Sequence, residues 1–331
     1  MRDPKNKLIL PILSIILLMA GWVACEKEIP YDDIAPESLL VVNGLQHVGE
    51  PASLCVEKSS FYINGEKDLR VKDVHADLYV NGVFKETLQV RDSMIMESVW
   101  ICDDDMGNGH VEEYPSRAFN YCEGTYLLCE GDELRFEVSS TEFDKVAVAE
   151  THIPYAPQVI SFDTLRTETD SEGQKTLYFS LVIDDAVGKD YYNLYPQEGM
   201  EGFVSTDPVF TDFMDIVHVD DLFGGNEYYG RGYFNLFDDS YFDGHPYAVT
   251  MTHKIYSESG QYEEPFVVDV SRVDRNLYQY KKSLNTYQTN DFGLLGLFTE
   301  PTQVYSNVQN GVGVVAAQSS PVTLRLDFTD N

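Results

Sequence analysis

The five cysteines are the residues whose chemical role the sequence indicates most clearly, and the first of these cysteines is Cys25. A basic start, Met1–Lys7, leads into an apolar stretch, Leu8–Ala20, and then into the small-residue segment Gly21–Ala24. This is the pattern of a signal peptide, and the apolar stretch is too short to span a bilayer comfortably. Because the residue at the cut is cysteine, its thiol can take a diacylglyceryl group. The sequence therefore predicts a signal peptide at 1–24 and a lipidated, palmitate-bearing N-terminus at Cys25; an ordinary signal peptide or an uncleaved anchor is the alternative.

The other four cysteines suggest disulfides, because an even number in an oxidising compartment is typical of paired thiols. Cys102 and Cys122 bracket a polar loop, so their pairing would close a hairpin. Cys55 and Cys129 would then join two strands. Free buried thiols are the alternative. A zinc site is not expected, because no C-x-x-C motif occurs and no histidine stands at ligand spacing from these cysteines.

Catalytic signatures are missing from the sequence. There is no G-x-S-x-G elbow, H-E-x-x-H helix, P-loop or dinucleotide-binding glycine fingerprint. The loop that begins at Asp103 combines carboxylates and glycines as calcium loops do, but Gly107, Asn108 and Tyr114 fall where that motif needs other residues. We therefore predict no catalytic residue, no metal and no cofactor. A hydrolase with an unrecognised site is kept as an alternative.

An aromatic segment at 191–256 is the most suggestive stretch for binding. Its tyrosines and phenylalanines alternate with glycine and aspartate, and such rings can stack on sugars or dock a partner loop. The four rings flanked by Gly224, Gly225 and Gly230 are predicted as a binding cluster, with at least two of them exposed: Tyr228, Tyr229, Tyr233 and Phe234. Burial of these rings in a satellite core is the alternative.

The charge balance excludes one class of partner. The 331 residues include 55 Asp and Glu against 23 Lys and Arg, a net charge of -32. Such a field repels the phosphates of nucleic acids and anionic membrane surfaces. Hydrophobic residues nevertheless make up 43% of the chain, so a folded body with real cores is expected rather than disorder. A nucleic-acid role is excluded.

The elements that would position these residues are mostly strands. Short alternating runs between turn signals predict a β-sandwich over 38–153, after a tether at 25–37. Asn81-Gly82 is a strong hairpin signal, and Asp103–Tyr114 is expected to be a polar loop. The predicted strands of this first domain are Ser38–Leu45, Ala52–Ser59, Val71–Tyr79, Val83–Val90, Ser98–Cys102, Gly124–Cys129 and Glu133–Ser139.

Two prolines in Thr151–Pro157 place a domain boundary there, and a second domain follows at 154–331. Its predicted strands are Val159–Leu165, Thr176–Asp184, Tyr191–Tyr195, Tyr247–Tyr256, Gly311–Ala317 and Val322–Phe328. Steps of three and four residues predict one amphipathic helix, with Ser271 and Asp274 as a capping box ahead of it. Its apolar positions are Val273, Leu277, Tyr280, Leu284 and Tyr287. The fold class is therefore all-β, with two domains and one helix.

Six segments carry a resemblance to a known family: Leu39–Gly44, Val74–Gly82, Gly124–Leu128, Thr151–Pro154, Tyr278–Tyr280 and Glu300–Gly313. Together they resemble the domain-of-unknown-function 4249 family of Bacteroidota outer-membrane lipoproteins. The resemblance implies an Ig-like or carboxypeptidase-regulatory-like first domain and a larger β-rich second domain. It also implies an outer-membrane location, often beside TonB-dependent transporters. It implies no established activity and no catalytic residues.

The expected function is therefore binding rather than catalysis. We expect an outer-membrane lipoprotein that is an accessory or ligand-binding partner of a TonB-dependent transporter. Acidic residues directly after the lipidated cysteine, Glu26 and Glu28, resemble a signal for export to the cell surface. A surface module that binds a glycan or peptide through the aromatic segment is the alternative.

Overall fold

The computed structural model describes residues 37–60, 65–102, 109–171, 173, 175–196, 205, 207–213, 236–255, 265–291 and 303–326. Strands dominate these residues, so the all-β fold class is confirmed. The strands are β1 (Leu40–His47), β2 (Pro51–Lys58), β3 (His75–Val80), β4 (Val83–Thr87), β5 (Gln89–Cys102), β6 (Gly109–Leu127), β7 (Glu133–Ser140), β8 (Phe143–His152), β9 (Gln158–Thr169), β10 (Lys175–Asp184), β11 (Tyr191–Pro196), β12 (Leu236–Asp238), β13 (Tyr247–Ile255), β14 (Phe266–Val273), β15 (Val315–Gln318) and β16 (Val322–Leu326). The described part also contains the α-helix α1 (Arg275–Asp291) and a 3₁₀-helix at Pro208–Phe213.

The described strands form three sheets. The largest has nine strands in the order β12-β11-β14-β15-β1-β2-β6-β5, with β16 also paired to β14. A three-stranded sheet has the order β13-β10-β9, and a four-stranded sheet has the order β4-β3-β7-β8. Most neighbouring strands are antiparallel, but β1 and β15 are parallel.

Two hydrophobic cores form where a smaller sheet packs on part of the large one. The first lies between the four-stranded sheet and β15, β1, β2 and β6, and its members alternate along each strand, as Leu40 and Val42 do. The second lies between the three-stranded sheet and β11, β12, β14 and β16, where the rings of Phe179 and Phe266 are 5.1 Å apart. Each core is therefore a sandwich of two sheets. The Ig-like or carboxypeptidase-regulatory-like character of the first stays a prediction.

The Asn81-Gly82 hairpin is confirmed. Both residues have positive φ angles, 52° and 78°, and Val80 pairs with Val83 across the turn. Asparagine and glycine tolerate this left-handed region better than other residues, and the turn it makes matches the twist of the two strands. The local sequence therefore fixes where β3 ends and β4 begins.

Strands from both sides of the predicted domain boundary share the large sheet. β15 lies parallel to β1, with Gly44 opposite Val315, and the Asn43 side chain accepts a hydrogen bond from the Val314 N–H at 2.9 Å. Val315 and Ala317 are fully buried members of the first core. The boundary between residues 153 and 154 stays a prediction, but the first core includes residues from the far end of the chain.

Gly313 allows the chain to approach β1 closely just before β15. Its φ is 121°, and a Cβ atom there would lie 2.2 Å from the Val42 carbonyl oxygen. No other residue type fits this conformation and this distance without strain. The glycine in the Glu300–Gly313 segment is therefore required by the pairing of β1 with β15.

The predicted amphipathic helix is confirmed as α1, but its cap and its buried face need correction. Ser271 lies inside β14, and Asp274 is the N-cap residue: its Oδ1 accepts a hydrogen bond from the Leu277 N–H at 2.9 Å. Tyr278 is buried against Tyr191, with ring centroids 4.6 Å apart, whereas Tyr287 is exposed. The apolar spacing predicted the position of the helix correctly. The residue that is buried against β11, however, is Tyr278, which was not among the predicted apolar positions.

Candidate functional site

The long hairpin of β5 and β6 extends beyond the sheet that carries it. β6 pairs with β2 from Leu127 to Asn120, and Ala118 bonds to the backbone of residues 67 and 69. Further along, β6 pairs with β5 down to Gly109. We call the two segments 95–102 and 109–117 the arm. The eight residues of its β5 strand give it a length of roughly 26 Å.

Large apolar side chains are exposed on both faces of the arm and its root. Met94, Ile95, Met96, Val111 and Tyr114 are each 42–57% exposed. Alternation along β5 and the register with β6 place Met94, Met96 and Val111 on one face and Ile95 and Tyr114 on the other. A hairpin that packs one face on a core would hide the apolar side chains of that face. The arm therefore has the composition of a surface that another molecule covers.

Carboxylates lie among these apolar residues. Glu97, Glu112 and Glu113 belong to the described part of the arm, and Asp103–Asp105 follow β5 in the sequence. Glu112 accepts a hydrogen bond from the Tyr114 hydroxyl and lies 3.0 Å from the His110 Nε2. The outer part of the arm is therefore apolar and acidic together.

Two contacts hold the arm at its root. The Arg117 Nε lies 3.3 Å from the Oε2 of Glu57, which is buried in β2. Burial raises the pKa of Glu57, and the charge of Arg117 opposes that rise. On the other side, the Lys67 ammonium donates a hydrogen bond to the Pro115 carbonyl oxygen at 3.1 Å. These contacts position the arm on the body at the point where β6 leaves β2.

A second feature is a cluster of carboxylates between two loops of the second core. Asp185 follows β10, while Asp239 and Asp243 follow β12, and one oxygen of each lies within 4.8 Å of the others. Asp185 accepts hydrogen bonds from the Tyr192 hydroxyl and from the Gly244 N–H, the latter at 2.9 Å. Burial raises the pKa of the Tyr192 phenol, and so does its bond to Asp185. The phenol therefore remains protonated at neutral pH and donates its hydrogen bond to Asp185.

Asp239 and Asp243 also meet donors or positive charge within the chain. Asp239 accepts the Asp190 N–H at 2.7 Å and faces the Lys189 ammonium at 2.8 Å. Asp243 accepts the Gly188 N–H at 2.9 Å. Because Lys189 supplies a positive charge and the backbone supplies the donors, the geometry accounts for the cluster as a connection between the two loops.

The predicted disulfides are wrong for this structure. Cys55, Cys122 and Cys129 are free thiols. Cys122 lies opposite Val90 in β5, twelve residues from Cys102, which corresponds to roughly 40 Å along a strand. The two cysteines lie on neighbouring strands, but Cys102 pairs with Gly109 at the start of β6, so it does not face Cys122.

The second pairing fails for the same reason. Cys55 lies opposite Tyr121, and Cys129 lies beyond the pair Pro51–Leu127 at the other end of β2. Four residues of strand separate Cys55 from Pro51 alone, or roughly 13 Å, whereas bridged cysteines have Cα atoms within about 7 Å. The alternative, free buried thiols, describes Cys122; Cys55 is free but only half-buried, and Cys129 is free and exposed.

Other predicted site residues lie outside the described residues. They are Cys25, the aromatic cluster Tyr228, Tyr229, Tyr233 and Phe234, and the acidic loop from Asp103 to Asn108. Glu112, Glu113 and Tyr114, predicted to lie in that loop, belong to strand β6 instead. The arm itself was not foreseen. Its signal is the run Met94-Ile95-Met96, which does not alternate and so cannot place all its apolar side chains on one buried face.

Comparison with known families decides what kind of protein this is. The family described as domain of unknown function (DUF4249) matches residues 26–322. The chain belongs to this family. The resemblance seen in the sequence segments is thus confirmed, and it extends over almost the whole DUF4249 protein. The family description names no activity, so the function of this DUF4249 member has to be argued from its surfaces.

Solved structures and curated proteins add little for this DUF4249 member. A crystal structure of a Corynebacterium diphtheriae protein, provisionally described as membrane anchored, is similar at 10% identity over 72% of this chain and 55% of that chain, with a TM-score of 0.19. This chain thus spans little more than half of that protein, and a likeness at this score carries no argument. No curated protein is significantly similar to this chain. Within the described residues, no helix has the length and apolar composition needed to cross a bilayer.

Proposed function

We propose that this DUF4249 protein is a non-enzymatic, lipid-anchored protein on the outer face of the outer membrane. It binds a partner protein, a TonB-dependent transporter, through the arm. One observation carries the binding proposal: the arm exposes large apolar side chains on both faces. The anchor at Cys25 and the choice of transporter rest on the sequence and on the family resemblance.

The stability of a two-stranded ribbon supports this proposal. An isolated hairpin is at best marginally stable in water, and each exposed apolar side chain forgoes about 25 cal/mol per Å² that burial would provide. A partner that covers Met94 and Met96 on one face and Ile95 on the other would recover that free energy. Methionine is flexible and polarizable, so it adapts to the shape of a bound surface. The arm therefore has the properties of a protein-binding element.

Site-specific photo-crosslinking in the native host tests the proposal. A photoreactive phenylalanine analogue replaces Tyr114 on the arm in one variant and Tyr241, an exposed tyrosine after β12, in a matched control. Both replacements keep an aromatic ring at an exposed position. After irradiation of intact cells, we expect a crosslink from position 114 to a TonB-dependent transporter, identified by mass spectrometry, and none from position 241.

Two results would contradict the proposal. One is the absence of any protein crosslink at position 114, which would mean that the arm stands free in the cell. The other is the same crosslink pattern at positions 114 and 241, which would indicate unspecific crowding at the membrane surface.

A groove next to α1 supports a second candidate function, glycan binding. It has a volume of about 500 Å³ and lies between one face of α1 and the segment 303–306. Apolar atoms make up most of its surface, and Lys282 and Val304 belong to its lining. The other lining residues carry hydroxyl or amide groups: Gln279, Ser283, Thr286, Gln303, Tyr305 and Ser306. Such groups hydrogen-bond to neutral sugars. Affinity electrophoresis in polysaccharide gels tests this: we expect retardation that Gln279→Ala abolishes and Tyr114→Ala leaves unchanged.

A further inference from the structure

The free edge of β5 suggests how the arm binds. We propose that a partner protein adds a strand to this edge, and that the added strand is basic as well as apolar. The proposal rests on the proposed function, in which the arm is the binding element, and it specifies the mode of binding and the chemistry of the partner. Strand addition would extend the nine-stranded sheet by one more strand.

The position of β5 in the sheet is the first argument. It is the last strand of its sheet and pairs with β6 alone among the described strands. It has 14 residues, contains no proline, and between Ser93 and Cys102 carries a single charge, Glu97. A long strand of this kind presents a row of unpaired N–H and C=O groups as a template for another strand.

The other described sheet edges are better protected than β5. β12 has three residues, and β4 and β16 have five each. The edge of β13 is covered at Thr250, whose N–H donates to the Asp207 carboxylate and whose carbonyl oxygen accepts the Ser205 hydroxyl. β8 is covered where Val148 exchanges backbone hydrogen bonds with Gln309. β9 has two register shifts against β10 and carries Asp163, Arg166 and Glu168. Short length, coverage, bulges and charges are the means by which proteins block edge pairing. β5 has one register shift against β6, at Ile95/Met96, and a single charge between Ser93 and Cys102, so it is the least protected of these edges.

The charge around this edge is the second argument, and it indicates that the partner strand is basic. Glu97 lies in β5, and Glu112 and Glu113 lie in the neighbouring strand. Arg91 and Arg117, near the root, pair with Glu123 and Glu57. Arg70 pairs with Asp68 and Asp92, and Lys67 donates to the Pro115 carbonyl oxygen. An added strand would therefore meet an excess of carboxylates, which lysine or arginine side chains complement. A second copy of this chain is disfavoured, because it would bring the same carboxylates together.

A peptide probe tests this mode of binding on the full mature protein. The probe is a short synthetic strand of alternating valine and lysine. One control peptide carries glutamate in place of lysine, and another keeps the valine–lysine sequence but is N-methylated along its backbone. Hydrogen exchange of the protein is followed residue by residue. We expect the valine–lysine peptide alone to bind and to slow exchange at alternate amides of β5, those that point away from β6.

Matched charge variants separate the local effect from the net charge. Glu97→Lys and Asp163→Lys change the charge of the protein equally, but Asp163 lies on β9, away from the arm. We expect Glu97→Lys to weaken binding of the valine–lysine peptide at least about tenfold at low salt and Asp163→Lys to leave it unchanged.

Several outcomes would overturn the proposal. They are no binding of the valine–lysine peptide, equal binding of either control peptide, and sedimentation of the mature protein as a dimer that protects the β5 amides. The complex captured through position 114 distinguishes this failure from failure of the proposed function. If a transporter is crosslinked there but β5 amides exchange as in the free protein, partner binding stands and strand addition is wrong.

Discussion

The Asp274 side chain connects strand β8 to helix α1, and its replacement is expected to lower the stability of the fold measurably. The carboxylate is buried; its Oδ1 caps α1 through the Leu277 N–H, and its Oδ2 accepts the Thr151 hydroxyl at 2.6 Å. Asp274→Ala removes the cap, which costs about 0.5–2 kcal/mol. It also leaves the buried Thr151 hydroxyl without its acceptor, which costs about 1–3 kcal/mol. Relief from burying a charge offsets part of this, so we expect the free energy of unfolding to fall by about 2–4 kcal/mol.

Asp274→Asn is the matched control. Its amide oxygen still accepts from Leu277, and Thr151 can accept a hydrogen bond from its amide nitrogen, so we expect a loss below about 1 kcal/mol. Urea unfolding followed by circular dichroism measures both variants against the wild type. Equal stabilities of the alanine and asparagine variants would refute the reasoning. Such a result would mean that the helix cap and the hydrogen bond to Thr151 make no measurable contribution to the free energy of unfolding.

The same carboxyl gives a pH dependence with a defined sign. Burial raises the pKa of Asp274, against the hydrogen bonds from Thr151 and Leu277, which lower it. The folded protein therefore binds this proton more tightly than the unfolded chain does. Its stabilising contribution is complete below the ordinary aspartate pKa of about 3.9 and is lost as pH rises through the higher folded value. The wild type should thus lose stability relative to Asp274→Asn as pH rises through that window; a constant difference would contradict this.

Three further predictions concern single residues. Gly313→Ala should lower the free energy of unfolding by at least about 2 kcal/mol, because the new Cβ would meet the Val42 carbonyl at a strained φ; an unchanged urea midpoint would disprove it. Burial raises the pKa of Cys122 to about 12, so a thiol reagent followed by mass spectrometry should modify exposed Cys129 long before Cys122 in the folded protein, and the reverse order would contradict the structure. Cys25→Ala should release the protein from the membrane fraction, and a variant that remained membrane-bound would exclude the lipid anchor.

Local signals predicted the local elements well. The Asn81-Gly82 turn, the alternation in β10 and the helical spacing after Asp274 each depend on residues near one another in sequence. Errors arose where two local patterns compete. Ser271 with Asp274 satisfies a capping box, but pairing of β14 with β11 takes Ser271 into a strand and leaves the cap to Asp274.

Long-range features were beyond a single sequence. Nothing near Gly44 indicates that its partner is Val315, and nothing near Cys102 gives the register that separates it from Cys122. The candidate binding surface was missed for a related reason. Periodicity predicts which residues share a face, but whether another sheet covers that face depends on the tertiary arrangement. The strands of the arm were therefore predicted in part, and their exposure was not.

The parallel pairing of β1 with β15 determines the order in which the chain can fold. A ribosome makes β1 among the first structured segments and β15 almost last, with 271 positions between Asn43 and Val314. Until the end of the chain arrives, the first core lacks Val308, Val315 and Ala317, and an apolar slot beside β1 stays open to water. Folding through such distant contacts is slow. A chain of this topology thus completes its first core only after residue 317 has been made, and copies truncated before residue 308 retain an unfilled core that exposes them to aggregation and proteolysis.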